Sequence, residues 1–356
     1  MTVHGTSQTR EWFNAEWNER LKGHRPMSIC RSITALHLVA LPLLLGGCEG
    51  PQSALRPGGQ DAAQLYLMFV VMLAGAVLLW VTLNGLFLYF TRINRQQFAF
   101  RHGNRIILGA GVILPTVVVG ALLVWGLSIM PSQRAPGDGL VIRVTGEEWW
   151  WRVEYWPEGA ETPIVSANEI RFPAGSRTEL RLTADNYIHS LWIPSLGGKM
   201  DMIPGRENVL TLHPDLEGFY RGQCAEFCGA SHALMAFEAV VMAPDDFDAW
   251  LARQAAPASR PQTPMQARGQ AIFRDEGCGA CHAIRGTEFA GSIGPDLTHL
   301  ASRQSLAAGI MEVERDDLMR WIAHTRDIKP EVAMPAYDWL ETDDLADLAA
   351  YLESLE

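Results

Sequence analysis

Cys224-Ala-Glu226-Phe-Cys228-Gly-Ala-Ser-His232-Ala-Leu-Met235, with His189 upstream, gathers two thiols, two imidazoles and one thioether. This soft nitrogen and sulfur set suits copper. Two cysteines four apart on a loop can bridge two metals instead of clasping one. Each metal then needs its own histidine, His189 for one and His232 for the other. Met235 is a natural weak ligand for one copper, and the backbone carbonyl of Glu226 serves the other. Bridging thiolates share an electron between both metals, so the geometry changes little on reduction, as electron transfer requires. Taken singly, an exported Cys-x-x-x-Cys pair also reads as a disulfide, a lone strand histidine as core and a lone methionine as filler. Their joint occurrence favours the metal centre.

Around this stretch the hydrophobic period is two. Val141-Ile142-Arg143-Val144, Glu179-Leu180-Arg181-Leu182-Thr183, Val209-Leu210-Thr211-Leu212 and Phe237-Glu238-Ala239-Val240-Val241 read as strands. Pro173-Ala174-Gly175 and Pro204-Gly205 separate them as turns. Short strands from residue 138 to 252 predict a β-sandwich or barrel. Gly146-Glu-Glu-Trp149-Trp150-Trp151-Arg-Val-Glu-Tyr155-Trp156 concentrates aromatic rings at one end of it, where rings serve as core or as an exposed contact.

Upstream, Ala62 to Phe90 is 29 residues without a charge, and Ile106 to Met130 is 25. Each is long enough to span roughly 30 Å of hydrocarbon as a helix. Arg92, Arg95, Arg101 and Arg105 lie between them with no acid, which makes that loop cytoplasmic. The prediction is a transmembrane hairpin over 62–130 with everything after Met130 on the outer side. Further upstream, Arg20, Lys22, Arg25 and Arg31 precede an apolar run from Ile33 to Leu45 and then Leu45-Gly46-Gly47-Cys48. This is a secretory signal over 1–48, with Met1 or Met27 as its start. Its end resembles a bacterial lipoprotein cleavage box, with Cys48 as the lipidated residue; an ordinary signal with an incidental cysteine is the alternative.

Downstream, residues 253–265 are rich in Ala, Pro, Ser and Gln and read as a linker. Gly277-Cys278-Gly-Ala-Cys281-His282 follows. Cys-x-x-Cys-His is a c-type haem attachment site: Cys278 and Cys281 add to the vinyl groups and His282 ligates iron. Met334, followed by Pro335, supplies the sixth ligand. Met311 and Met319 lie within a helical pattern without a following proline, and Leu345 to Leu352 forms a terminal amphipathic helix.

Charge is unevenly placed. Residues 1–139 carry 11 basic and 6 acidic side chains; residues 140–252 and residues 266–356 each carry 8 basic and 17 acidic, a net of −9 apiece. A basic front and two acidic bodies exclude nucleic acid as a partner. They favour membrane lipid at one end and a basic soluble partner at the other.

Together these features resemble subunit II of a bacterial caa-type cytochrome c oxidase. The match to its dinuclear copper (CuA) domain runs from Ile188 to Met235 and includes Met202-Ile-Pro-Gly-Arg206 and Gly222-Gln-Cys224. Residues 266–356 are similar to a small monohaem cytochrome c. The resemblance implies a multidomain membrane protein: a two-helix transmembrane hairpin, an all-β cupredoxin barrel and an all-α cytochrome c domain. It implies CuA and haem c as cofactors, and a magnesium ion held partly by the Glu226 side chain at the subunit I interface. Trp149 aligns with the tryptophan that serves the family as electron port. Subunits I and III are implied as partners in the bacterial inner membrane, with cytochrome c or a bc complex as donor. Electrons would pass from the donor to the haem, then to CuA, then to the oxygen-reducing subunit I. Two positions depart from the family pattern. Asn186 stands where an acid usually precedes the first histidine ligand, and Leu108 stands where a glutamate often lies at a proton-channel mouth. A donor subunit of a CuA-containing nitric oxide reductase would share the same module. A copper-delivery or thiol-redox protein would need neither Met235 nor a haem.

Overall fold

The computed structural model describes residues 49–93 and 100–356 of the chain. The signal segment and Cys48 lie outside the described residues, as do Arg95 and the side chain of Arg101.

Two long apolar helices come first. The helical spans Gln60–Ile93 and Gly103–Arg134 contain the two charge-free runs and extend a few residues past them. Leu78, Trp80, Val119 and Val124 are among the large apolar side chains left exposed along them. A helix apolar on all sides has every backbone group satisfied internally and wants hydrocarbon around it. Polar contacts tie the first span to the next domain. Asp61, buried in its first turn, pairs with Arg177 at 3.3 Å and accepts from the His213 backbone N–H at 2.9 Å. Gly58 and Gln60 donate to the carbonyls of Ser195 and His213.

Ten strands then form two five-stranded sheets. One has the order β3-β2-β1-β5-β8, from β1 (Val141–Gly146), β2 (Trp151–Trp156), β3 (Ile164–Ala167), β5 (Thr178–Ala184) and β8 (Asn208–Leu212). The other has the order β4-β10-β9-β6-β7, from β4 (Glu169–Pro173), β6 (His189–Trp192), β7 (Met200–Met202), β9 (Gly218–Cys224) and β10 (Ala236–Met242). Burial alternates along β1, β2 and β5 as a half-buried strand requires. Ile142, Val144, Trp151, Val153, Tyr155, Leu180 and Leu182 thus fill the space between the sheets. The four strands read from the sequence are β1, β5, β8 and β10. The aromatic segment supplies another, β2: Trp151 and Tyr155 face the core, while Trp156 at the strand's end stays half-buried.

A helix over Pro244–Ala255 closes the barrel and runs into the expected linker. Residues between it and the next helix, Pro264–Asp275, are pinned: Ala258 N–H donates to Arg285 O, and His299 Nε2 donates to Ala256 O. The Pro264–Asp275 helix starts at a capping box of Thr263 and Gln266. It crosses the terminal helix Thr342–Leu352 at Gly269, where a Cβ would lie 2.0 Å from Asp347 O. Arg268 pairs with Asp347 beside that crossing. Arg315–Ala323 and Thr325–Ile328 complete the helical domain.

Barrel and helical domain meet mainly through backbone carbonyls. Arg152 donates to Ser292 O at 2.8 Å, Arg171 to Ser302 O at 3.1 Å and Arg221 to Gly309 O at 2.7 Å. Ser231 Oγ donates to Pro330 O at 2.6 Å, and Ala236 N–H to Ala308 O at 3.0 Å. In the other direction, Gln304 N–H donates to the buried Glu169 carboxylate at 2.7 Å.

Candidate copper and haem centres

Strand register builds the first centre. β9 ends at Cys224, whose N–H donates to Met235 O at 2.9 Å just before β10 begins, so residues 225–235 form a loop closed at both ends. His189 opens β6, which pairs with β9. A Cβ on Gly146 would lie 2.7 Å from the His189 ring, so that glycine admits the imidazole. His232 sits on a single 3-10 turn inside the loop.

All the sequence-derived ligands converge. Cys224 Sγ lies 3.7 Å from His189 Nδ1, 3.2 Å from Glu226 O and 3.8 Å from Cys228 Sγ. Cys228 Sγ lies 3.5 Å from His232 Nδ1 and 3.9 Å from Met235 Sδ. Both cysteines are free thiols. The hydrogen bond from Cys228 keeps the Cys224 thiol well below the ordinary thiol range, and the same contact pushes Cys228 up. His189, Cys224, Cys228 and Met235 are buried, and His189 Nε2 has no hydrogen-bond partner. Two sulfurs that face each other, with an imidazole nitrogen beside each, a thioether and a carbonyl, fit a pair of copper ions. The Glu226 side chain points away, half exposed, with Lys199 Nζ at 3.7 Å; Lys199 pairs more closely with Asp201 at 2.8 Å.

Trp149, on the turn between β1 and β2, is only 4% exposed. Its Nε1 donates to the Cys228 carbonyl at 2.9 Å. A Cβ on Gly229 would lie 3.0 Å from the Trp149 ring, so the ring lies flush on the copper loop.

The second centre is a cleft of about 1340 Å³, its open mouth included. Cys278, Cys281, His282 and Met334 all line it. Gly277, at φ +73°, turns the chain into the Cys278–Ala280 turn. His282 Nδ1 donates to Pro295 O at 2.7 Å, which leaves Nε2 for a metal. Burial pulls the His282 pKa down, which favours the neutral, ligating imidazole. A Cβ at Gly294 would lie 2.6 Å from the His282 ring, explaining the glycine before Pro295. Burial pushes the Cys278 thiol up to about 11. Phe273, Leu297, Leu300, Leu318, Ile322 and Leu348 give the cleft apolar walls suited to a macrocycle. Met311 and Met319 are not among the lining residues.

Sequence reasoning missed part of the lining. Arg303, Ser305, Lys329 and Tyr337 border the cleft, and Glu148, Trp149, Trp150 and Asn168 reach it from the barrel. Trp149 therefore touches the copper loop and borders the haem cleft.

Family comparison agrees with both centres. Residues 157–242 match the family "Cytochrome C oxidase subunit II, periplasmic domain", and residues 266–356 match "Cytochrome c". Cytochrome c oxidase subunit 2 of Alkalihalophilus pseudofirmus is 31% identical over 336 residues, covering 90% of this chain and 96% of that protein. Its namesake from Bacillus subtilis is 28% identical, with 90% and 97% covered. The crystal structure of the periplasmic domain of a cytochrome oxidase subunit II from Bradyrhizobium japonicum is 27% identical, covering 34% of this chain and 96% of that one at a TM-score of 0.30. The chain belongs to the cytochrome c oxidase subunit 2 family: it is a membrane-anchored subunit of a haem-copper oxidase, with a copper domain and a cytochrome c domain.

Proposed function

We propose that this chain relays electrons from an external cytochrome c, or from a bc complex, through its own haem and dinuclear copper to subunit I. The observation that carries this reading is Trp149. One buried ring borders the haem cleft and donates a hydrogen bond to the carbonyl of a copper-ligand residue. In this chain the tryptophan electron port faces the attached cytochrome domain.

When bound, the copper pair and the haem supply one-electron chemistry near a fixed geometry. The residues prepare for that. As thiolates, Cys224 and Cys228 would hold the copper pair, with His189 and His232 as one nitrogen ligand each. Met235 and the Glu226 carbonyl complete the set. His282 is oriented by Pro295, and Met334 faces the same cleft. The interdomain hydrogen bonds hold the two centres at fixed separation, so the second transfer does not wait for an encounter.

At the membrane end, the hairpin docks against subunit I and, by family analogy, subunit III in the inner membrane. The half-exposed Glu226 carboxylate contributes to a magnesium site completed by subunit I. Cys48, after signal cleavage, carries the lipid.

The test is metal and haem analysis of the purified oxidase complex, with EPR and oxygen and nitric oxide assays. Two coppers and one covalent haem per chain, a mixed-valence EPR signal and oxygen consumption are expected. One copper with an isolated cupric signal would overturn the dinuclear centre.

A further inference from the structure

Within residues 266–356, the large apolar side chains left exposed are Ile293 and Trp339. Trp339 is 59% exposed, and tryptophan is among the residues most enriched as anchors in protein interfaces. Its position is fixed on two sides. Trp339 Nε1 donates to the Glu276 carboxylate at 3.2 Å, and its ring lies against Tyr337 with centroids 5.0 Å apart. Leu340 N–H donates to Tyr337 O at 3.3 Å, so residues 337–340 turn tightly and carry both rings on one corner. Tyr337 also lines the haem cleft, with its hydroxyl on the Cys278 thiol. Cys278, Tyr337 and Trp339 therefore lead from a haem-attachment atom to solvent through two adjacent rings.

Trp149 offers an outside protein no such access, since it is 4% exposed. The surface around Trp339 is also acidic. Residues 330–356 carry 8 acidic side chains and no lysine or arginine. Asp347 and Glu353 are paired, with Arg268 and Arg315. Asp275, Asp338, Glu341, Asp343 and Asp344 are exposed, and among the described residues none of them has an ion-pair partner. Each lies within a few residues of Trp339 or of its partner Glu276. Arg274, the base nearest to Glu276 in sequence, pairs with Glu288.

We propose that Trp339 and Tyr337 form the electron port of the cytochrome domain, docked by a donor protein whose basic face surrounds an exposed haem edge. One electron leaves the donor's ferrous haem and reduces the ferric haem attached at Cys278; no bond forms or breaks and no proton moves. Trp339 is the contact and Tyr337 the link to the attachment edge. The unpaired acids steer the basic face onto them. This rests on the relay reading proposed above.

The test uses the full chain loaded with haem and copper, and a basic mitochondrial cytochrome c as donor. Titration calorimetry with the zinc-substituted cytochrome, which docks but has no iron to oxidise, reads binding alone. Stopped-flow reduction at rising donor concentration separates affinity from first-order transfer within the docked pair. Trp339→Ala should weaken zinc-cytochrome binding and slow second-order reduction about tenfold. Its haem content and haem-to-copper transfer should match wild type. Tyr337→Leu should keep binding within about twofold and slow only the first-order transfer; if it does not load haem, Trp339→Ala still decides. The Asp338→Asn, Glu341→Gln double variant should slow association roughly threefold at low salt and flatten its salt dependence. Ile293→Ser, at the other exposed apolar position, should change neither binding nor reduction. Wild-type binding and reduction in Trp339→Ala would overturn the port, as would a loss that falls on Ile293→Ser instead. A wild-type chain whose haem accepts the donor's electron but never passes it to copper would overturn the relay reading and leave the port in place.

Discussion

The copper loop and the haem cleft are organised in opposite ways. Around copper, the donor atoms lie 3.2–3.9 Å apart in a chain of contacts, held by the β9–β10 register and a closed loop. Around the haem, the ligands line a wide cleft whose walls are helices and loops with no mutual ladder. A metal ion needs a few atoms placed finely, which strands do well. A macrocycle needs a large apolar mould, and here it is also part of the core it occupies. The barrel should therefore tolerate loss of its metal, whereas the cytochrome domain should not tolerate loss of its haem.

The largest effect expected from this contrast is on residues 264–356. A Cys278→Ala, Cys281→Ala double variant should cost that domain more than the ~3–5 kcal/mol of truncating a core aromatic. Limited proteolysis should then cut the helical domain first and leave the barrel. Equal resistance of both domains would break the comparison. Copper removal by a chelator is the mirror experiment. It should abolish the copper absorption while shifting barrel melting less than haem loss shifts the helical domain.

Next in size, Cys224→Ser should release both coppers, because each thiolate serves two metals, and leave haem content intact. Retention of one copper would show that the sulfur clasps a single ion. Trp149→Phe removes the bond to the Cys228 carbonyl and should cost ~1 kcal/mol of stability. Copper content should hold while haem-to-copper transfer slows. A smaller effect is expected for Met235→Leu. The thioether is the weakest ligand, so the copper potential should move more than the copper content; complete copper loss would reassign Met235 as essential.

Much of this was legible in the sequence because both ligand sets are local. Cys224 to Met235 and Cys278 to His282 carry their chemistry in short spacings, and the charge-free runs announce the two membrane helices. β2 was harder to read, since Trp149-Trp150-Trp151 masks the alternation that starts at Trp151. The sequence left Trp149 open as core or as an exposed contact: its burial is decided by the copper loop, where it meets Cys228 and Gly229. The domain interface was equally hidden. It uses the carbonyls of Ser292, Ser302, Ala308, Gly309 and Pro330, and a carbonyl leaves no mark on side-chain pattern. Lys329 carries no local sequence signal, and it is buried because the fold closes over it.

The most direct test of the central claim, that the haem and copper centres are held together as one relay, is stopped-flow reduction of the intact chain by a basic cytochrome at two salt concentrations. The cytochrome domain carries a net charge of −9 before the propionates are counted, so reduction by the donor should slow as the Debye length falls from roughly 30 Å at 0.01 M to about 8 Å at 0.15 M. Transfer from haem to copper within the chain should keep the same rate at both. An internal step that slows with salt as strongly as the external one would contradict the account.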